Sequence, residues 1–400
     1  MVEGDRSTLN PSSFGKWLRH AMDAGGAGSR RRHIIRFRSH DDYAAFVRYM
    51  RSESKAFPRM QQAVRLLPLI RAISCPLRSV EPLTAIPAVQ SVEADIRLRL
   101  QASGPNLGPA GLHSRRSSPP SKIPWGIRHI RAHQVWPKSK GDRIHVGVVD
   151  TGADYTHPDL RHCLARGVNL LHRHLYPIDD NGHGTHIAGT ISAFTKHRGI
   201  VGVAPHALIH PVKAFDHQGG AFVSDIIKAI DWCVLSGMDI INMSFGMKTH
   251  SKALEAAVLS AHRSGIVIVA SSGNEGKRAE IDYPARFPQS IAVGATTRKG
   301  RIAPFSNDGQ QIDIYAPGEK IYSTWLDGKY QELSGTSMAT SHVTGVVALM
   351  LSLRPGLRPG RIKTLLRKYA RYIVRPGKQS FIKELHAART VNNLTRRPLK

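Results

Sequence analysis

The 400-residue sequence predicts an α/β protein with a doubly wound, mostly parallel central sheet, preceded by a small α+β unit. Three observations lead to this prediction. Short β-branched segments alternate with amphipathic helical segments between residues 144 and 296. A stretch rich in Gly, Pro and Ser separates this region from an earlier one with its own strand and helix patterns. Hydrophobic residues make up 41% of the chain, which is enough for a substantial core.

The N-terminal region has three parts. Residues 1–32 are polar and rich in Gly and Arg, and we expect them to be disordered. Residues 33–100 read as strand, helix and strand in the segments HIIRFR, DDYAAFVRYMRSESKAF and IPAVQSVEADIRLRL. Residues 101–123 have the composition of a linker.

The main region contains five segments that are short, β-branched and flanked by turns, at 144–150, 207–215, 238–244, 265–271 and 290–296. Helical patterns lie between several of them, at 224–237 and 252–265. This alternation is typical of a parallel sheet that is covered on both faces. Because ligands of such sheets bind at the carboxyl ends of the strands, we expect the functional side chains there.

The composition limits the class of protein and its compartment. No run of 18 or more apolar residues occurs, so we predict no transmembrane segment. The N-terminus lacks the apolar centre of a secretory signal, which favours the cytoplasm. The three cysteines, Cys75, Cys163 and Cys233, are too few for a disulfide framework, and we expect buried, inert thiols.

The net charge of +28 is concentrated at the two ends of the chain. Residues 1–122 carry 20 basic and 9 acidic side chains and residues 351–400 carry 14 and 1, whereas the middle carries 23 and 19. Basic ends of this kind can bind polyanions weakly, and general solubility is the alternative that we favour.

Three segments hold candidate catalytic residues. Asp150 ends the first strand of the main region. His183 and His186 lie in DDNGHGTHIAGT, where a helix is expected to begin at about Gly182. Ser337 precedes a strongly apolar helix, whose N-terminus favours developing negative charge. If His183 and His186 were a pair of metal ligands, Asp150 and Ser337 would remain unexplained. An Asp, a His and a Ser that each lie at the end of an element can instead supply an orienting carboxylate, a base and a nucleophile.

The segments VGVVDTGADYTHPDL, DDNGHGTHIAGT and LSGTSMATSHVTG together resemble the signatures of the subtilisin-like serine proteases, the subtilases or peptidase S8 family. The resemblance covers about residues 123–390 and implies a subtilisin-like fold and a serine endopeptidase that forms an acyl-enzyme. It implies that Asp150 orients His183, and that His183 takes the proton of Ser337. By the same resemblance, His186 is structural, and Asn274 in VIVASSGNEG donates to the oxyanion.

The resemblance also implies how the substrate binds. An extended peptide would be held as an added strand between two backbone segments: Gly219, Gly220 and Ala221, and Ser244, Phe245 and Gly246. Asp282 stands where the family commonly has Gly or Ser at the floor of the primary pocket, with Glu275 at the rim. We hypothesise that this pocket accepts Arg or Lys; a solvated loop acid is the alternative.

Two further positions depart from the family pattern. Asp159 matches a carboxylate that helps to bind a structural calcium in many relatives, but Lys196 takes the place of a usual ligand and repels a cation. We therefore doubt the usual calcium site, leave calcium elsewhere open, and expect no cofactor for the chemistry. Ser341 replaces a common Pro four residues after Ser337, and we expect activity to survive this change.

Residues 33–100 resemble, more weakly, the ferredoxin-like inhibitory prodomain of subtilases, which ends in a phrase similar to VQSVEAD. The resemblance implies a zymogen in which the prodomain is an intramolecular inhibitor until self-cleavage within 101–123. Arg115, Arg116 and Lys122 are candidate cleavage points, and an unrelated α+β domain is the alternative. The family makes secretion the alternative to the cytoplasm. We expect polypeptide substrates and a monomer, with a basic C-terminal tail at 391–400.

Two rival functions belong to other classes. A catalytically silent binding module would usually lack one of the triad residues, and all three are present together with Asn274. An anion-binding protein could use the basic run at 354–378 while keeping the protease fold as a scaffold. Anion binding can coexist with proteolysis. The alternative interpretation of the basic run is a C-terminal helix whose arginines are simply solvated.

Overall fold

The computed structural model describes residues 9–23, 31–53, 58–100, 123–195, 199–276, 278–374 and 381–395. The chain divides into two compact units. The smaller unit comprises Met1–Arg97, Phe222–Asp231 and Ser251–Ser260. The larger unit comprises Leu98–Ala221, Trp232–His250 and Ala261–Lys400.

The N-terminal part of the smaller unit folds as an antiparallel sheet with helices. Its elements are α1 (Pro11–Asp23), β1 (Arg31–Phe37), α2 (His40–Ser52), α3 (Pro58–Ala63), β2 (Arg65–Leu67), β3 (Ala72–Leu77), α4 (Glu81–Thr84) and β4 (Val89–Ala94). The strand order is β2–β3–β1–β4, and every neighbouring pair is antiparallel. Phe37, Phe46 and Ile73 are fully buried at the centre of its apolar core.

The later elements follow in chain order. They are β5 (Arg97–Arg99), α5 (Trp125–His129), β6 (His145–Asp150), β7 (Val168–Asn169), α6 (His183–Ser192), β8 (Leu208–Lys213), β9 (Gly220–Phe222), α7 (Val223–Leu235), β10 (Ile240–Met243), α8 (Lys252–Arg263), β11 (Val267–Ser271), β12 (Ser290–Thr296), β13 (Ile314–Pro317), β14 (Ile321–Thr324), β15 (Tyr330–Leu333), α9 (Thr336–Leu353), α10 (Pro359–Lys368), β16 (Arg371–Val374), β17 (Phe381–Glu384) and α11 (Ala387–Thr395).

A nine-stranded sheet forms the centre of the larger unit, in the order β16–β17–β13–β12–β11–β10–β6–β8–β7. All of its neighbouring pairs are parallel except the edge hairpin β16–β17. The five strands predicted from the sequence are β6, β8, β10, β11 and β12, so the doubly wound, mostly parallel sheet is confirmed. The order reverses at β6, which lies between β8 and β10, and a ligand site is expected at the carboxyl ends of these strands.

Helix α9 is the central helix of the larger unit. Its residues are buried from Thr336 to Leu351, and it packs against β10, β11, β12 and β13. By length and composition it is the one helix in the described part of the chain that could cross a membrane, but 89% of that window is buried within the fold. Burial of this extent is typical of the core helix of a folded domain.

Two segments that were predicted to be tails are partly helical, and these predictions were wrong. Helix α1 lies within the stretch 1–32 that we expected to be disordered. Its Phe14, Leu18 and Met22 follow one another at intervals of four residues and are buried in the same core as Phe46. The surrounding Gly and Arg residues obscured this apolar stripe in the composition. At the other end, α11 extends into the predicted tail, where Val391 and Leu394 are buried.

The cysteines agree with the expectation of inert thiols. Cys75, Cys163 and Cys233 are all free and buried. Burial raises the pKa of Cys75 and of Cys163 to about 12. Because the thiolate is the reactive form, these side chains act as small apolar core residues near neutral pH.

Candidate active site

Asp150 and His183 form a hydrogen-bonded pair at the carboxyl end of β6. The Nδ1 atom of His183 lies 2.8 Å from Asp150 Oδ1 and 2.9 Å from Oδ2. The Asp150 side chain is fully buried, and its Oδ1 also accepts a hydrogen bond from the Thr151 N–H at 2.8 Å. The buried carboxylate therefore fixes the imidazole with Nδ1 as its donor, which leaves Nε2 as the basic nitrogen.

The loop before α6 folds around a second buried carboxylate, that of Asp179. Its Oδ1 accepts from the N–H groups of Asn181 and Gly182, and its Oδ2 accepts from the N–H and hydroxyl of Thr185. Gly182 has a φ of +106°, and a Cβ there would lie 2.4 Å from the ring of Trp325. The loop therefore needs glycine at 182, and Asp179 satisfies N–H groups of the first helical turn that begins at His183.

Ser337 lies in the first turn of α9, and its hydroxyl donates to the carbonyl oxygen of Ser244 at 2.9 Å. Ser244 directly follows β10, just as Asp150 ends β6. Met243 and Val149 are register partners in these parallel strands, so Ser244 and Asp150 occupy the next, equivalent positions. The Asp150–His183 pair and the Ser337 hydroxyl thus lie at the carboxyl ends of two adjacent strands, and neighbouring strands are about 5 Å apart. In this structure the hydroxyl hydrogen-bonds to Ser244 and not to His183.

Asn274 lies in the turn that follows β11. Its side-chain oxygen accepts hydrogen bonds from the Thr336 N–H at 2.9 Å and from the Thr336 hydroxyl at 2.8 Å. These contacts orient the amide with its oxygen toward the residue before Ser337. The NH₂ end of the same side chain is thereby directed away from Thr336, as a donor to an oxyanion requires.

The two histidines of DDNGHGTHIAGT differ in their electrostatics. Burial lowers the pKa of His183, but the charges of Asp150 and Asp179 and the hydrogen bond to Asp150 raise it more, so the net shift is upward. Burial lowers the pKa of His186 to about 3, and the nearby His183 adds to this shift. His186 Nε2 lies 3.0 Å from the Ile321 carbonyl oxygen, so this ring is a neutral structural donor.

The region that contains these residues also matches known proteins. A sequence model described as the subtilase family (Peptidase_S8) matches residues 141–394. The chain belongs to the subtilase family. It is therefore a subtilisin-like serine endopeptidase, a hydrolase of peptide bonds.

Individual relatives agree with this assignment. Subtilisin DY of Bacillus licheniformis is 40% identical over 248 residues, which cover 61% of this subtilase and 90% of the relative. Subtilisin E of Bacillus subtilis (strain 168) is 40% identical over 256 residues, which cover 63% and 67%. A solved structure, a cold adapted subtilisin-like serine proteinase, aligns with a TM-score of 0.61 and 33% identity and covers 67% of this chain and 99% of its own.

The two backbone segments predicted to hold the substrate lie within the larger unit of the subtilase. Gly219 has a φ of +71°, and its carbonyl accepts the N–H of Leu100 at 2.8 Å. The Phe245 ring packs against Phe215, with 5.0 Å between the ring centroids. Phe245 is therefore a core side chain, and only its backbone is available to a peptide. Gly220, Ala221, Ser244 and Gly246 are also buried.

At the predicted primary pocket, Asp282 and Glu275 contact a lysine, Lys248, that was not predicted from the sequence. Asp282 is fully buried, and its Oδ1 lies 2.7 Å from the Nζ atom of Lys248. The same Nζ lies 2.7 Å from Glu275 Oε2. Asp282 is therefore not a solvated loop acid, and it is not an unpaired carboxylate either, since Lys248 already supplies its counter-charge.

Asp159, the candidate calcium ligand, has protein partners. Its Oδ2 accepts from the hydroxyl of Tyr330 and from the N–H of Ile200, both at 2.8 Å. In the described part of the chain, no group of three or more His, Cys, Asp or Glu side chains could hold a metal ion. Lys196, and the cleavage candidates Arg115, Arg116 and Lys122, lie outside the described residues.

Three residues that orient the site were not found in the sequence analysis: Asp179, Lys213 and Lys248. Lys213 is buried at the end of β8, where its Nζ donates to the Thr151 carbonyl at 2.7 Å and to Asp180 at 2.6 Å. A single charged residue at the end of an apolar strand was a usable signal for Lys213. For Asp179, the signal was an acid four residues before the first residue of α6. No local pattern indicated Lys248.

Proposed function

We propose that this subtilase cleaves peptide bonds with Ser337 as the nucleophile, His183 as the general base and acid, and Asp150 as the partner of the histidine. The observation that supports these roles is the pairing of strand ends. Asp150 holds His183 at the end of β6, and the Ser337 hydroxyl contacts Ser244 at the equivalent position after β10. We propose that the substrate carbonyl binds between these two strand ends, next to Ser337 and His183.

In the first step, His183 Nε2 removes the hydroxyl proton of Ser337, and the serine Oγ forms a bond to the scissile carbonyl carbon. The C–O double bond opens, and its electron pair becomes an oxyanion. Asp150 keeps Nδ1 protonated and stabilises the imidazolium that forms. Donors aimed at the oxyanion lower the barrier because they stabilise charge that develops only in the transition state. Asn274 and the Ser337 N–H are the donors that we propose.

In the second step, the proton on His183 Nε2 passes to the leaving amine as the C–N bond breaks. An acyl-enzyme ester on Ser337 remains. Water then adds to the ester, and His183 takes the proton of the water. The second tetrahedral species collapses as its bond to Ser337 Oγ breaks, and His183 returns the proton to Ser337, which releases the acid product. Each step needs only the four side chains named here, so we propose that the chemistry requires no cofactor.

Peptide binding by strand addition is supported by a segment of the chain itself. Leu100 follows β5 and donates its N–H to the carbonyl of Gly219, so an extended segment already pairs with the first substrate-binding backbone. An incoming peptide would use the same carbonyl. We propose that the segment ending at Leu100 blocks this edge of the cleft in the uncleaved chain.

We also propose that the N-terminal region is an inhibitory prodomain and that the subtilase is made as a zymogen. Within the smaller unit, the Glu93 carboxylate accepts from the Lys252 N–H at 3.0 Å and also contacts Ser251 and Ala253. Asp95 accepts from the N–H of Ser224 at 2.9 Å. The acids of VQSVEAD thus satisfy N–H groups at the N-termini of α8 and α7, where negative charge is favourable.

The decisive experiment compares the full chain with its Ser337→Ala variant. Wild type should hydrolyse casein and a chromogenic peptide and should lose its N-terminal region by cleavage within 101–123, whereas the variant should be inactive and stay at 44.0 kDa. Peptide hydrolysis and intact-protein mass spectrometry measure the two outcomes. Equal hydrolysis by both proteins would contradict the mechanism. An uncleaved wild-type chain with full activity would contradict the zymogen.

Polyanion binding by the basic C-terminal run is a separate proposal. Part of this charge is neutralised internally, since Lys363 pairs with Asp313 at 2.8 Å and Arg371 pairs with Glu384. Weak retention on heparin that falls steeply with salt would support it, and elution at the same salt as a neutral protein would contradict it.

We also propose that the protein is a monomer, and its sedimentation coefficient tests this.

A further inference from the structure

Lys248, Glu275 and Asp282 form a charged cluster at the predicted primary pocket. Lys248 lies two residues beyond Gly246, and its Nζ contacts both carboxylates at 2.7 Å. The Asp282 side chain is fully buried, whereas those of Lys248 and Glu275 are 49% and 41% exposed. The buried carboxylate therefore receives its counter-charge from a lysine that reaches it from the solvent side.

The carboxylate of Asp282 lies directly behind the two glycines that flank this pocket. A Cβ added at Gly246 would lie 2.5 Å from Asp282 Oδ2, and one added at Gly273 would lie 2.8 Å from the same atom. Gly246 belongs to the proposed substrate-binding segment 244–246, and Gly273 directly precedes Asn274, the proposed oxyanion donor. A long substrate side chain that enters between them would end at Asp282 and at the ammonium of Lys248.

We propose that Lys248 is a specificity-determining residue. Its ammonium occupies the position on Asp282 that the cation of a substrate Arg or Lys would take, and it makes this subtilase prefer uncharged side chains before the cleaved bond. The proposal rests on the endopeptidase mechanism proposed above. It opposes the preference for basic residues that the Asp282 side chain alone suggests.

The reason is the balance of charge around a buried carboxylate. A buried ion is stable only with a partner, because it has lost its hydration. Lys248 meets this need before any substrate arrives. A substrate guanidinium would have to displace Lys248, so one ion pair would replace another and little would be gained. Without Lys248, the incoming cation would supply the counter-charge that Lys248 now gives to Asp282.

The experiment uses two peptide p-nitroanilides that differ only in the last residue, Arg or Leu. The readout is the ratio of kcat/KM for Arg to that for Leu, which does not depend on the fraction of active enzyme. Wild type should give a ratio below one. Lys248→Met should raise the ratio at least about tenfold, as a charge-assisted pair requires. Lys248→Gln serves the same purpose if the methionine variant fails to fold.

Two further variants identify the cause. The double variant Lys248→Met/Asp282→Asn should return to the wild-type ratio, because the freed carboxylate is gone. Lys329→Met is the matched control, since Lys329 pairs with the exposed Asp327 at 3.3 Å, and it should leave the ratio unchanged.

Three results would overturn the proposal: a wild-type ratio well above one, an unchanged ratio in both Lys248 variants, or a raised ratio that persists in the double variant. Failure of the mechanism itself would look different. Hydrolysis of the Leu peptide would then survive Ser337→Ala, whatever residue stands at 248.

Discussion

The charge on His183 should set the acid limb of the pH–rate profile. His183 acts as a base only when neutral, and Asp150 and Asp179 raise its pKa despite burial. Activity should therefore rise with pH through a midpoint above about 6.5, the ordinary value for histidine. In Asp150→Asn the midpoint should move to lower pH, and kcat should fall about 10⁴-fold, the size of effect known for this change in a Ser-His-Asp triad.

Measurement of kcat/KM between pH 5 and 9 for both proteins tests this prediction. Asp142→Asn is a suitable control, because Asp142 is a surface carboxylate that pairs with His206. A midpoint that moves upward in Asp150→Asn would contradict the proposed role of Asp150.

Asn274→Ala should reduce kcat far more than it changes KM. The hydrogen bonds from Thr336 direct the amide NH₂ away from that residue. A donor to the oxyanion acts mainly in the transition state, so its loss appears in kcat. The corresponding loss in subtilisin is about 10²–10³-fold, and we expect a similar value by analogy. Steady-state kinetics test this, with Asn393→Ala as the control. A change confined to KM would indicate a substrate-binding role instead.

At the scale of elements, the start of α6 depends on Asp179. Its carboxylate accepts hydrogen bonds from three backbone N–H groups and one hydroxyl. Asp179→Ala should lower the free energy of unfolding by about 1–3 kcal/mol, because it leaves buried donors unpaired. Denaturant unfolding in the Ser337→Ala background, which prevents self-digestion, measures this loss.

Asp179→Asn separates the shape of this side chain from its charge. The amide oxygen can keep part of the hydrogen bonding, so stability should fall less than in Asp179→Ala. The charge that raises the pKa of His183 is lost, so the acid limb should move to lower pH. An acid limb that stays in place would show that Asp179 acts on stability alone.

The elements that could be predicted are those with a strong local pattern. The strands β6, β8, β10, β11 and β12 are short segments that each contain at least two Val or Ile residues, and α9 is a long apolar helix. These features are visible in the sequence alone. The strands β2, β7, β16 and β17 have two to four residues each and were missed, since they form only through pairing with distant segments. Strand β3 was also missed; it lies between two antiparallel partners, β1 and β2.

The candidate site shows the same limit. Asp150, His183 and Ser337 lie in motifs that could be found in the sequence, and the first two contact each other as predicted. The charged residues that contact the segments around this site come from distant parts of the chain. Lys213 reaches Thr151 across 62 positions, and Lys248 reaches Asp282 past the whole of α8 and β11. Such pairs form through tertiary packing, and contacts between distant residues leave no periodic pattern in the sequence.

At the scale of the molecule, Glu384 joins distant parts of the larger unit. Its buried carboxylate accepts from Thr296 at 2.8 Å, lies 3.1 Å from His129 Nε2 and pairs with Arg371. These residues belong to β12, α5 and β16. Burial raises the pKa of Glu384, but His129, Thr296 and Arg371 lower it more. A lowered pKa stabilises the fold above the unfolded value of about 4.3, and this contribution is lost as the pH falls.

Glu384→Gln should therefore lower the free energy of unfolding at pH 7 by about 1–3 kcal/mol. The value is moderate because Arg371 is 40% exposed and water can solvate it. The difference from wild type should shrink at pH 3, because this pH is below the unfolded value of about 4.3 and protonation of Glu384 then favours the unfolded chain. Denaturation of both proteins in the Ser337→Ala background at the two pH values measures this. A difference that grows at pH 3 would contradict the assignment.

The position of Ser337 in the first turn of α9 has a practical consequence. That helix is buried along nearly all of its length against four strands, so the nucleophile cannot shift without disturbing the interior of the larger unit. Heat inactivation should then coincide with cooperative melting of that interior instead of preceding it. A phosphonate that labels the active-site serine should therefore react only with folded molecules. The amount of label bound would then measure the fraction of native enzyme in a preparation.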